Sequence, residues 1–106
     1  MVKVLDEKGF QENVINAPGR EIVEFYSATA QDSSDALDKA AAETAGQTDF
    51  FRIDIDKAKA LGDKYVKGET PYFVLFEAGM PISEASGELS GDQLEKMSLV
   101  GEFGMD

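Results

Sequence analysis

The residues that could do chemistry in this chain are carboxylates and hydroxyls. It has 21 Asp and Glu against 10 Lys and Arg, with no cysteine and no histidine. Without cysteine there is no thiolate to attack a disulfide. Without either residue, zinc centres of the usual kind and histidine acid–base chemistry are excluded. Glu24 is the sharpest acidic candidate. Ile22, Val23, Phe25 and Tyr26 surround it, so the strand they form is buried, and a carboxylate taken out of water needs a cation or hydrogen-bond donors. Ser33 and Ser34 follow Asp32, but a serine nucleophile needs an adjacent general base. Asp32 or Ser33 reads instead as a helix cap. Asp54 and Asp56 stand two apart at a strand end. No third carboxylate or calcium-loop glycine is in register with them, so Asp56 is read as a cap, Asp54 as exposed, and no metal is expected.

The elements that must carry these residues follow from periodicity. Val2 to Leu5 is a short β-type run. Asp6 caps a helix bearing Phe10, Val14 and Ile15, which stops at Ala17-Pro18-Gly19. Glu21 to Ser27 is a buried strand. Ala36, Leu37, Ala40, Ala41 and Thr44 recur at helical spacing. In the stretch from Thr48 to Ile55, Phe51, Ile53 and Ile55 fall on one face, with Phe50, Arg52 and Asp54 on the other. A helix with Ala58, Leu61 and Tyr65 aligned leads to the 67–71 loop. Tyr72 to Phe76 is a strong strand, Ala78-Gly79 a turn, and Ile82 to Ser86 a weaker strand that Pro81 assigns to an edge. Ser90 and Gln93 form a capping box before a helix with Leu94 and Met97 inward. The order β-α-β-α-β-α-β-β-α gives an α/β fold, a mixed sheet with helices on both faces. The strands around Val23, Ile53 and Val74 are the most apolar and belong at its centre.

A length of 106 residues fits a single domain, 1–106, with 42% hydrophobic residues and a formal net charge of −11. Such a surface repels nucleic acid and anionic membrane and favours basic partners. No apolar run reaches the roughly 20 residues of a membrane-spanning helix, and Met1 to Asp6 lacks the apolar core of a signal peptide. The expected address is cytoplasmic.

Four stretches resemble the thioredoxin family: Val23-Glu24-Phe25-Tyr26, Phe51 to Asp56, Thr70-Pro71 through Gly79, and Ser86-Gly87-Glu88-Leu89-Ser90 with Gln93-Leu94. Their joint order and spacing, over nearly the whole chain, carry the likeness. The resemblance implies a thioredoxin fold. It sets the family's Trp-Cys-Gly-Pro-Cys-Lys against Thr29-Ala30-Gln31-Asp32-Ser33-Ser34, which differs at all six positions. The family's kinking helix proline is replaced by Asp38. Glu24 falls where the family has a buried aspartate, and Arg52 where it has a partly buried lysine on the adjacent strand. The resemblance therefore implies a buried Glu24–Arg52 pair, a cis bond before Pro71, and a peptide groove walled by the 28–34 loop, Thr70, Pro71, Ser86 and Gly87. Tyr26 and Tyr72 are placed where they can line that surface.

Three functions fit: a redox-inactive member that binds a peptide or protein partner, a Cys-to-Ala/Ser variant of a thiol–disulfide oxidoreductase, and a structural or assembly domain. No catalytic residue and no cofactor is assigned. In an insulin-type disulfide reduction assay the chain should give the rate of the protein-free blank. Turnover by verified cysteine-free protein would contradict this.

Overall fold

The computed structural model describes residues 2–27, 34–44 and 48–100. The strands are β1 (Lys3–Val4), β2 (Arg20–Tyr26), β3 (Thr48–Asp54), β4 (Tyr72–Glu77) and β5 (Met80–Ser86). The helices are α1 (Glu7–Phe10), α2 (Ser34–Glu43), α3 (Lys59–Tyr65) and α4 (Gly91–Val100). A π-helical turn over Gln11–Ile15 prolongs α1. The sheet order is β1-β3-β2-β4-β5. β2 runs parallel to β3 and antiparallel to β4, with Glu24 opposite Arg52 on one side and Phe73 on the other. The three most apolar strands are thus the three interior ones, as the sequence pattern requires.

Alternation along these strands splits the core in two. Ile22, Phe50, Phe73 and Leu75 pack with Leu37 and Ala40 of α2 and Leu94 and Met97 of α4. Val23, Phe25, Ile53, Val74 and Phe76 pack with Phe10, Val14 and Ala58 on the α1 and α3 side. Phe10, Phe25, Tyr65 and Phe76 form an aromatic cluster there, with ring centroids 5.3–6.4 Å apart. Helices cover both faces, so the interior strands are buried along most of their length, with Asp49 and Glu77 exposed near their ends.

Local signals place the helix ends. The Gly9 amide donates to Asp6 Oδ1 at 2.7 Å. The Ser90 amide donates to Gln93 Oε1 and the Gln93 amide to Ser90 Oγ, a closed capping box. Asp56, in contrast, does not cap α3. Ala58 stands at that position and supplies no side-chain bond, while Asp54, expected to be exposed, is buried and accepts the Asp56 amide at 2.9 Å. The chain turns tightly after β3, and the carboxylate nearer the strand satisfies the turn. Arg20 donates to the Ser98 carbonyl at 2.8 Å, which ties the last turn of α4 to the sheet.

β5 is an edge, and it is blunted. Pro81 removes a donor, a register shift bulges the pairing opposite Leu75 and Phe76, and Glu84 adds charge. The β4–β5 turn needs positive φ at Ala78 and Gly79. A Cβ on Gly79 would lie 2.3 Å from the Ile15 carbonyl oxygen at φ +83°. Gly79→Ala should therefore cost at least about 1–3 kcal/mol in denaturant unfolding, since both the backbone conformation and the space oppose a side chain. A neutral effect would show that the turn relaxes away from the π-helical segment.

Candidate functional site

Glu24 and Arg52 lie side by side on β2 and β3, on the α2–α4 face. Arg52 Nε donates to Glu24 Oε1 at 2.8 Å; the glutamate is fully buried and the arginine 9% exposed. The Arg52 guanidinium stacks 4.0 Å from the centroid of the Tyr26 ring, so the cation has a carboxylate on one side and an aromatic face on another. Glutamate reaches one methylene further than aspartate, and arginine presents its donors in a planar fork. Together they span the gap between adjacent strands directly. This arrangement neutralises charge; it holds no nucleophile.

The strand ends above the pair lead to the remaining residues of interest. Thr29, Ala30, Gln31, Asp32 and Ser33 lie outside the described residues. The Ser27 hydroxyl donates to Asp56 Oδ2 at 3.0 Å. Thr70 and Pro71 come beside Ser86 and Gly87, and the Thr70–Pro71 bond is cis. The Gly87 amide donates to the Pro71 carbonyl and the Ser86 hydroxyl to the Glu69 carbonyl, both at 2.9 Å. Thr70 sits between these braced neighbours. Among the described residues its own backbone N–H and C=O make no hydrogen bond.

Tyr72 does not line that surface. It is 5% exposed and turned inward, and its hydroxyl donates to Glu84, which Lys67 Nζ approaches at 3.8 Å. Burial, then the Glu84 carboxylate, pushes the phenol up to about 12. It therefore remains a donor at neutral pH and pins the 67–71 loop to β5. Tyr26 is half-buried beneath Arg52. Asp38, at the family's proline position, accepts the Val2 amide at 2.9 Å and fastens α2 to the start of the chain.

A cleft of about 560 Å³ opens at the carboxyl ends of β1 and β3, lined by Lys3, Asp6, Lys8, Tyr26, Asp54 and Lys57 among others. Thr70, Pro71, Ser86 and Gly87 take no part in it. Among the described residues no three acidic side chains converge as a metal site, and no helix is long and apolar enough to cross a membrane.

Sequence reasoning passed over Glu21, which is 1% exposed. The signal was present: it shares a strand face with Val23 and Phe25, so alternation alone points its carboxyl into the core.

The thioredoxin family model matches residues 1–99, and the sheet order and cover of helices described above are those of an α/β domain of that kind; the chain belongs to the thioredoxin family. No curated protein matches it.

Removing one member of a buried ion pair leaves the other charge uncompensated, at a typical cost of about 3–5 kcal/mol. Arg52→Ala should show a loss of this order in denaturant unfolding. A loss below about 1 kcal/mol is what a solvent-screened surface pair would give, and would rule out a structural role for the contact.

Proposed function

We propose that this chain is a redox-inactive member of the thioredoxin family that binds an extended peptide or a partner protein at the surface where the family carries its active site. The observation that carries this reading is the state of Thr70. Its neighbours' carbonyls are occupied by Ser86 and Gly87, and its own two backbone groups are left without a partner among the described residues. A braced loop with one free donor and one free acceptor is the requirement for backbone pairing with an extended segment. The cysteine-free sequence removes disulfide exchange as the purpose of that surface.

Charge sets the preferred partner. Exposed Glu69 and Glu88 flank the Ser86–Gly87 wall, and the whole chain carries −11. A basic peptide is attracted to such a surface and an acidic one repelled. An NMR titration with an extended Lys-rich peptide should move the amide signals of Thr70 and Gly87, with Thr29 following if the 28–34 loop forms the opposite wall. The effect should weaken as salt is added. An absence of shifts at millimolar peptide, or shifts scattered over the acidic surface, would leave a structural role in its place.

A further inference from the structure

Glu21 opens β2 on the face shared with Val23 and Phe25, in the core under α1 and α3. Its side chain is buried, and its Oε1 has no hydrogen-bond partner. Among the described residues no cation pairs with it. Opposite it on β3 stands Asp49, a second carboxylate. Opposite it on β4 stands Phe76, while the next residue, Glu77, is engaged with Arg20. The connection to β2 brings the uncharged Gly19, with the Glu21 carboxyl 3.9 Å from where a Gly19 Cβ would stand. On α3, Lys64 lies over the Tyr65 ring, 5.3 Å from its centroid. The contrast with Glu24 is direct: two glutamates three residues apart on one strand, one with an arginine and one facing another acid.

We propose that Glu21 is a proton-operated latch: neutral, it packs as part of the core where β2 begins; ionised, it loosens that end of the sheet from β3 and β4. Burial, reinforced by Asp49, pushes its carboxyl from 4.5 up to about 7. The sign follows from linkage. Below pH 4.5 the carboxyl is protonated in the folded and unfolded chain alike, and its contribution to stability is fully present. As pH rises from 4.5 towards 7 the unfolded chain releases the proton and the folded chain holds it, so stability falls. Above about 7 the folded chain ionises too and the loss levels off. The proton released goes to solvent, and the stability change falls between pH 4.5 and about 7.

The test compares the unmodified chain with Glu21→Gln in denaturant unfolding from acidic to mildly alkaline pH. Glutamine keeps the shape and removes the titration. The unfolding constant of the unmodified chain should rise on the order of a hundredfold relative to that of the variant across this range. Amide exchange at Ile22, Phe50 and Phe76, corrected for intrinsic base catalysis, should accelerate in the unmodified chain alone. Asp49→Asn should move the transition to lower pH. Parallel pH profiles for the two proteins would overturn the proposal. If Glu21→Gln fails to fold, carbon-13 titration of the Glu21 carboxyl in the unmodified chain decides the matter: a midpoint near 7 supports the latch, and one near the ordinary 4.5 overturns it.

Discussion

The interior strands of a sheet covered by helices on both faces are dry along most of their length, and a charge placed there must be paired or neutralised. β2 is flanked by β3 and β4 and carries Glu21 and Glu24, so each must find a partner inside the protein or stay neutral. Glu24 finds Arg52 across the strand pair, and the arginine in turn leans on Tyr26. The pair lies on the face where Phe73, Leu37 and Leu94 form the apolar core, with Phe73 beside Glu24 on β4. Buried pairs of this type are a poor source of net stability compared with apolar residues of the same volume. They are, however, intolerant of partial loss, and that makes β2 and β3 interdependent at their carboxyl ends.

The surface above this pair is built by a different set of bonds. Tyr72, Glu84 and Lys67 hold the loop from one side, and Ser86 and Gly87 hold it from the other. These contacts join a turn preceding β4 to the far end of β5, residues separated by 12 to 17 positions in the chain. The loop therefore remains ordered by the hairpin, with no contribution from thiol chemistry. The bracing of this loop needs no thiol, because it consists of hydrogen bonds and an ion pair supplied by the hairpin.

Several features were legible in the residues alone. The strand and helix order, the interior position of the three most apolar strands, the Ser90–Gln93 box and the Asp6 cap all rest on short-range periodicity and on side chains that bond within three or four residues. Other readings failed where two short-range solutions compete. Asp54 and Asp56 both suit the turn after β3, and only the direction of the strand end selects Asp54. Tyr72 suits a surface by its polar tip; the opposing strand supplies Glu84 and turns it inward.

What the sequence by itself determined is the element order, the burial of the interior strands and the absence of any thiol, because each depends on residue type and on spacing along one segment. The Glu24–Arg52 partnership was already implied by the family resemblance, whereas what faces Glu21 was decided only by the tertiary structure. Glu21 and Glu24 are the same residue on the same strand, and alternation sends them to opposite faces. One meets Arg52 and the other Asp49, because the register of β3 against β2 sets which side chain stands across from each. The apolar pattern constrains register, but the pairing of two segments far apart in the chain is fixed only when both cores pack at once.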